Sequence, residues 1–173
     1  MELAEAKQKF IDSWGTLGQE WGINRTMAQV HALLLVTPEA LSTEEVMETL
    51  GISRGNANMT LRELMGWGLV DKQLKKGERR EYFWADKNVW NIARHVARER
   101  RKRELDPMIK LLDQLAQVKG DINDPAFKTF NKAVNDINKQ AKNIDKTLEV
   151  VLRAEETWFW GSVKYLNSVL NTE

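Results

Sequence analysis

The N-terminal segment repeats an apolar residue every three or four positions, which is the spacing of one face of a helix. The repeating residues are Phe10, Trp14, Leu17 and Trp21. Gly22 follows the last of them and interrupts the pattern. We therefore predict a first helix that carries one apolar stripe and ends near Gly22.

The following segment carries the start and stop signals of two further helices. Asn24 can cap the first of them, which we expect to run through Val36 and to be ended by Thr37-Pro38, because the residue before a proline resists helical geometry. Ser42 and Glu45 have the Ser-x-x-Glu spacing of a capping box. The short helix that they begin is predicted to stop at Gly51, since glycine tolerates left-handed geometry.

The next stretch predicts a fourth helix and a two-stranded hairpin. Ser53 is a good N-cap residue, and the Gly-Trp-Gly sequence at 66–68 ends the helix that begins there. An extended segment begins at Leu69, turns at residues 75–78 and returns over residues 80–85. This pattern predicts a hairpin with a basic tip.

The order of these elements is typical of a winged helix-turn-helix, in which a short turn joins two successive helices. We expect a mostly α fold with a small wing of two or three strands, the third being a short strand near Leu41. Residues 22–88 are predicted to form the winged helix-turn-helix domain. Residues 1–21 and 89–173 are predicted to form a helical dimerisation region.

Beyond the hairpin the chain is predicted to be helical, with a break or kink at Asp106-Pro107. One long stretch alternates spacings of three and four, as a heptad seam does. Its residues are Phe127, Phe130, Val134, Ile137, Ala141, Ile144, Leu148 and Val151. Such a seam has to be buried, either against residues 108–118 of the same chain or in a dimer interface shared with the first helix. We favour the dimer, whose interface residues would be Phe10, Trp14, Leu17, Phe130, Val134, Ile137, Ile144, Leu148 and Val151.

The charge of the chain is unevenly distributed, although its net value is only +1. Residues 72–103 contain twelve Lys or Arg and four acidic residues, so the rest of the chain carries a net charge of −7. An acidic body with one basic face favours a polyanionic partner. For residues 98–103 taken alone, a solvated charged helix is the simpler interpretation.

The fourth helix begins with weak helix formers, which calls for a reason other than helix stability. On a helical wheel its inner face consists of Ala57, Leu61, Leu64 and Met65. The outward face consists of Gly55, Asn56, Met59 and Arg62, with Asn58 at its margin. Arg can pair with guanine, Asn with adenine, and Met can pack on the thymine methyl group. Taken alone, this face also fits a surface helix with arbitrary polar residues.

The tip of the predicted hairpin is rich in cationic side chains. These are Lys75, Lys76, Arg79 and Arg80. The tip of a wing lies along the backbone or the minor groove of a duplex, where negative potential attracts Lys and Arg. A recognition helix docks on DNA through its N-terminal residues. The basic tip, together with the N-terminal residues of the fourth helix, therefore predicts binding to double-stranded DNA.

Three segments resemble a known family. They are LLLVTPEALSTEEV (33–46), LGISRGNANMTLRELMGWGLV (50–70) and KKGERREYFWADKNVWNIA (75–93). The chain resembles the MarR-type winged-helix transcription regulators over about residues 10–110, most closely the branch of the glycine-betaine synthesis repressor. The resemblance implies a homodimeric repressor on a pseudo-palindromic operator, released by a small-molecule effector. It assigns to the recognition helix Ser53, Arg54, Asn56, Asn58, Met59 and Arg62, and to the wing Arg79 and Arg80.

The chain contains seven Trp, and tryptophan gives the strongest cation–π attraction. Because the resembling branch responds to choline, a cage for a quaternary ammonium compound is one hypothesis. The candidate residues are Trp14, Trp21, Trp67 and Trp90. Aromatic residues at helical spacing are more often core or interface residues, and that alternative stays open.

The chemistry of the remaining residues argues against an enzyme. With no Cys, thiol catalysis and zinc–thiolate sites are excluded, and no catalytic or phosphate-binding motif is present. His31 and His95 are expected to be satisfied or exposed and not metal ligands, so we predict no metal and no cofactor. No apolar run is long enough to span a bilayer. With no signal sequence either, we expect a cytoplasmic, nucleoid-associated protein. A winged-helix module that binds protein and not specific DNA is the alternative function.

Overall fold

The computed structural model describes residues 1–170, with the backbone alone described at residue 156 and at residues 166–170. Its contacts define one compact unit over Met1–His95 and a second unit that begins at Val96. In chain order the elements are α1 (Leu3–Glu20), α2 (Arg25–Val36), β1 (Leu41–Ser42), α3 (Thr43–Leu50), α4 (Arg54–Gly66), β2 (Val70–Leu74), β3 (Glu81–Ala85), α5 (Val89–Arg100), a π-helical turn (Arg101–Leu105), α6 (Asp106–Leu115), α7 (Pro125–Arg153) and α8 (Glu156–Leu170). The fold is mostly helical with one small sheet, as predicted.

The closest approach of α1 to α2 is made at glycines, and of the predicted apolar stripe Trp14 lies beside α2. Gly15 and Gly18 are buried in α1. A Cβ atom added to Gly18 would lie 2.6 Å from the Cβ atom of Ala28, so the two helices approach too closely for a side chain there. The stripe lies beside this contact, and its members Leu17 and Trp21 are 39% and 55% exposed.

We expect the substitution Gly18→Ala to destabilise the fold. Alanine improves helix propensity by about 1 kcal/mol, but overpacking a close contact costs about 1–3 kcal/mol. The matched variant Gly15→Ala should be destabilised less, because the atoms that its Cβ would meet belong to the longer side chains of Gln29 and Arg25 and not to a Cβ atom fixed on the backbone. Thermal unfolding of both variants measures the difference, and equal melting temperatures would contradict a close backbone contact at Gly18.

The predicted helix caps are confirmed. The side chain of Asn24 accepts a hydrogen bond from the backbone N–H of Met27 at 3.2 Å. The Glu45 carboxylate accepts from the backbone N–H of Ser42 at 2.7 Å, and the Ser42 hydroxyl accepts from the N–H of Glu45 at 3.3 Å. The hydrogen bonds that the Glu45 carboxylate accepts from the Ser42 N–H and from the Ser42 hydroxyl lower its pKa. Gly51 ends α3 in the left-handed region, with φ of 63°.

The sheet has three antiparallel strands in the order β1-β3-β2. Leu41 of β1 lies opposite Phe83, and Val70 of β2 lies opposite Ala85. Val70, Phe83 and Ala85 are buried, so one face of the sheet covers the helices of the first unit. The third strand near Leu41 is therefore confirmed, and β3 begins at Glu81, one residue later than predicted.

His31 of α2 departs from the expectation of a satisfied or exposed histidine. Its side chain is 4% exposed, and its Nε2 atom has no hydrogen-bond partner within the described part of the chain. The ring of Trp14 lies beside it, with 6.5 Å between the two ring centroids. Burial lowers the pKa of His31 to about 4, so the imidazole is neutral at pH 7.

The second unit begins within α5 and continues without a break through the π-helical turn into α6. The backbone N–H of Asp106 donates to the carbonyl of Arg101, five residues earlier. Pro107 has no N–H, and its ring would clash with the carbonyl four residues earlier in a regular helix. The predicted break is therefore a local widening of the helix, as π-helical turns are.

The predicted seam of α7 is divided between two surroundings. Val134 and Ala141 are buried against Leu112 of α6. The prediction that Val134 lies in a dimer interface is therefore corrected, because its side chain belongs to the core of its own chain. On the outer side of α7, residues seven apart are exposed, namely Phe130, Ile137 and Ile144. Two further members of the seam are half-buried, namely Leu148 and Val151.

Polar contacts fix the position of α7 within the second unit. The Asn138 amide donates to the Asp113 carboxylate at 2.8 Å, and the Arg101 guanidinium donates to Asp145 at 2.5 Å. Hydrogen bonding to Arg101 lowers the pKa of Asp145. These contacts hold α6 and the π-helical turn in register with α7.

Candidate nucleic-acid interface

Helix α4 begins at a capped turn and is anchored by one face. The Ser53 hydroxyl accepts a hydrogen bond from the backbone N–H of Asn56 at 3.3 Å, which satisfies one free amide of the first turn. Ala57, Leu61 and Leu64 are buried, which confirms the predicted inner face. The rotation of α4 about its axis is therefore determined by the core.

The opposite face of α4 is exposed at its N-terminal end. Gly55, Asn58 and Arg62 are exposed, and Met59 is 60% exposed. Among the residues that the structure describes, the side chains of Asn58 and Arg62 form no hydrogen bond or ion pair. Their polar groups are thus available to an external partner, next to a helix end whose amides and dipole favour an anion.

Two of the predicted contact residues already have partners inside the chain. Arg54 forms an ion pair with Glu44 of α3 at 2.5 Å, although both side chains are largely exposed. Asn56 is half-buried and accepts a hydrogen bond from the hydroxyl of Thr60 at 3.3 Å. An exposed ion pair contributes about 0–1 kcal/mol to stability, so Arg54 can exchange Glu44 for a phosphate. Asn56, in contrast, is bonded to the buried Thr60. Sequence reasoning missed Glu44, which lies ten residues before Arg54.

The wing tip carries exposed cations, and next to them Tyr82 contacts both Lys75 and Glu78. The side chains without a hydrogen bond or ion pair among the described residues are Lys76, Arg79 and Arg80. The Lys75 ammonium lies 3.9 Å from the centroid of the Tyr82 ring. The Glu78 carboxylate accepts a hydrogen bond from the Tyr82 hydroxyl, which raises the pKa of Tyr82. Sequence reasoning did not single out Tyr82.

Gly55 tests whether the weak start of α4 serves a contact. A Cβ atom added at Gly55 would meet no atom within 4 Å, and the same holds for Gly66 at the other end of α4. We expect Gly55→Ala and Gly66→Ala each to stabilise the fold by about 0.4–1 kcal/mol, because alanine reduces the entropy of the unfolded chain. Only Gly55→Ala should weaken duplex binding, because its methyl group would obstruct close approach.

The measurement pairs thermal unfolding with a duplex titration for each of these two glycine variants. Full affinity in Gly55→Ala, together with a raised melting temperature, would contradict a close approach of the helix end to the duplex. Equal weakening in both variants would also contradict it, since Gly66 lies at the far end of α4.

The four candidate indoles have different surroundings. Trp67 is 7% exposed, Trp14 and Trp90 are half-buried, and Trp21 is 55% exposed. Trp14 stacks on Phe10, with 5.4 Å between the ring centroids. The four indoles therefore differ widely in exposure, from the buried Trp67 to the exposed Trp21. The cage for a quaternary ammonium compound stays a prediction.

Residues 1–170 contain neither a candidate metal site nor a helix that could span a membrane. No group of three or more His, Cys, Asp or Glu in this range is arranged to hold a metal ion. None of the described helices has the length and hydropathy that crossing a bilayer requires.

The winged-helix part of the chain matches a known family model. Residues 17–88 match the model described as sugar-specific transcriptional regulator TrmB. The matched segment includes both α4 and the wing. Among curated proteins, no sequence matches the chain. The glycine-betaine branch stays a prediction, because no comparison bears on it.

Solved structures of regulators are similar to this chain to different degrees. The crystal structure of a transcriptional regulator has 21% sequence identity over 85% of this chain and 95% of that chain, with a TM-score of 0.65. An S. aureus MepR variant bound to an oligodeoxyribonucleotide has 10% identity over 98% of this chain and 91% of that chain, with a TM-score of 0.38. The regulator SlyA has 12% identity over 87% and 99%, with a TM-score of 0.36. Of these three similarities, only the first has a TM-score above 0.5. It supports the winged helix-turn-helix fold of this chain.

Proposed function

We propose that this protein is a sequence-specific DNA-binding transcriptional regulator. The observation that carries the proposal is the outward face of α4, where Asn58, Met59 and Arg62 are exposed on a helix whose rotation is set by its buried side. The free cations of the wing tip supply phosphate contacts, which position a protein on a duplex while the helix reads the bases. The family match over residues 17–88 supports the same function.

We infer that DNA is bound by a homodimer. In the first unit, Leu17 and Trp21 leave apolar surface exposed on α1; in the second, Phe130, Ile137 and Ile144 form an exposed ridge along α7. Several exposed apolar side chains on one face of a helix mark an interaction site, and a seven-residue spacing suits packing against another helix. A two-fold dimer would present two copies of α4 to two half-sites.

We further propose that the protein acts as a repressor that a small molecule releases. Trp14 and Trp21 lie on the α1 stripe that we assign to the dimer, so a cation bound there through cation–π contacts would alter the dimer geometry. The effector hypothesis therefore rests on these two residues and not on the buried Trp67. A cytoplasmic, nucleoid-associated location follows from the DNA partner.

Selection of bound sites from a pool of random duplexes, at near-physiological salt, tests this function. We expect a two-fold symmetric site with half-site centres about 34 Å apart, or a multiple of that distance. Affinity for the selected site should fall by orders of magnitude between about 50 and 200 mM salt. A single asymmetric half-site would reject the dimer. No enrichment, or binding that salt does not weaken, would favour a protein-interaction module.

A further inference from the structure

One aromatic side chain contacts both ends of the turn at the wing tip. The turn over residues 75–78 is closed by a hydrogen bond from the backbone N–H of Glu78 to the carbonyl of Lys75 at 3.1 Å. Gly77, its third residue, has φ of 86°, which a turn of this kind requires. Tyr82 lies beyond the turn on β3; its ring lies under the Lys75 ammonium, and its hydroxyl donates to the Glu78 carboxylate.

Tyr82 is itself held rigidly. It is 9% exposed and lies on the middle strand of the sheet, paired with Ser42 of β1 and Gln73 of β2. Lys75 and Glu78 therefore both contact a residue of the sheet, while Lys76, Arg79 and Arg80 form no ion pair within the part of the chain that the structure describes. Because Lys75 and Glu78 are ordered before binding, association does not carry the entropic cost of ordering them.

Glu78 is the only acidic residue in the tip sequence KKGERR. A carboxylate free to move among these cations would repel the phosphates that the cations attract, and it would compete for the same guanidinium groups. The hydrogen bond from the Tyr82 hydroxyl holds this carboxylate against the strand. Within the described residues, Lys76, Arg79 and Arg80 form no hydrogen bond or ion pair, and the acidic group within electrostatic range of Arg80 is Glu45 of α3.

We propose that Tyr82 is a positioning residue for DNA binding by the wing. It fixes the turn and keeps the Glu78 carboxylate away from the phosphates, so that Lys76, Arg79 and Arg80 face the duplex. This inference rests on the proposed DNA-binding function. Tyr82 would then contact no DNA itself, but it would determine how the wing tip contacts the duplex.

The variant Tyr82→Phe tests the proposal, since it keeps the ring under Lys75 and removes the hydroxyl. We expect about tenfold weaker binding to the selected site and to random duplex alike, which is the size of one hydrogen bond to a charged group. Without DNA, trypsin should cleave the tip of this variant faster than that of the wild type. The matched control is Tyr165→Phe, which removes the hydroxyl of the other tyrosine, outside the wing, and should leave cleavage of the tip unchanged.

Rescue separates positioning from a general structural role. In the double variant Tyr82→Phe/Glu78→Gln, the charge that the hydroxyl restrains is absent, so the affinity should return to within about threefold of Glu78→Gln alone, which corresponds to less than 1 kcal/mol. A tyrosine that only supports the sheet would give a lower melting temperature and no rescue, and this result would overturn the proposal.

Equal affinity and equal cleavage of Tyr82→Phe and the wild type would overturn it as well. A wild-type protein that binds no duplex would reject the proposed function instead. The two failures are distinguishable, because cleavage of the tip is compared without DNA.

Discussion

Replacing Arg79 and Arg80 together with Ala is expected to weaken binding to every duplex alike, by about 10- to 100-fold near 0.1 M salt. Each phosphate contact releases counterions and contributes about 0.9 to the slope of log affinity against log salt. Loss of two contacts should therefore flatten that slope by about two. Fluorescence anisotropy titrations of the selected site and of random duplex, between 50 and 200 mM salt, measure both quantities.

The fold should not change in this wing variant, because both side chains are exposed and form no ion pair within the described residues. The matched control removes two exposed cations of α7, in the variant Lys128→Ala/Lys132→Ala, and should leave the affinity within about twofold. An unchanged salt slope in the wing variant, or a loss confined to the selected site, would contradict phosphate contacts by the tip.

The stability of the protein is expected to fall by roughly 3 kcal/mol as the pH is lowered from about 6.5 to 4 because of His31 alone. In the unfolded chain this imidazole takes up a proton near its ordinary pKa of 6.5, whereas burial keeps it neutral in the folded chain down to about pH 4. Between these values the unfolded state binds more protons, so acidification favours unfolding. Above pH 7 the residue has no effect. Urea unfolding at several pH values measures the free energy of unfolding.

The variant His31→Leu removes the titrating group and should flatten the dependence between pH 6.5 and 5. Carboxylates with lowered pKa, such as Asp145 and Glu45, lose their contribution only as the pH falls below their ordinary values near 4, so the upper part of the window belongs to histidine. The same slope in wild type and His31→Leu would show that this imidazole is not buried in the neutral form.

The local features of the fold were predictable because they depend on near neighbours in the chain. The caps at Asn24, Ser42 and Ser53 each use a hydrogen bond that spans three residues. The left-handed end of α3 at Gly51 needs only a residue without a Cβ atom. The buried face of α4 follows from its helical period, since Leu61 and its neighbours recur at three- and four-residue spacing.

Contacts between distant segments were not predictable in the same way. The stripe of α1 is as apolar as the face that packs, but the close contact is made at Gly18 because Ala28 of α2 is also small. Spacing alone could not tell which residues of the α7 seam are buried, since Val134 and Ile137 satisfy the same heptad. Val134 is buried because it packs against Leu112, whereas Ile137 is exposed.

The candidate interface was predicted in outline, and its internal contacts were not. The exposure of Asn58, Met59 and Arg62 follows from the helical wheel. The pairing of Arg54 with Glu44 depends on the angle between α3 and α4, which the sequence does not state. The contacts of Tyr82 with Lys75 and Glu78 depend on the register of the strands, which the sequence does not state either.

The most direct test of the central claim, that the outward face of α4 contacts bases, is the affinity of Arg62→Lys for the selected site and for random duplex. Lysine keeps the charge but cannot form the bidentate contact of a guanidinium. We predict a loss of about 10- to 100-fold on the selected site, from the 1–3 kcal/mol of a base contact, and a change within about threefold on random duplex. Equal changes on the two duplexes would contradict a base contact by Arg62.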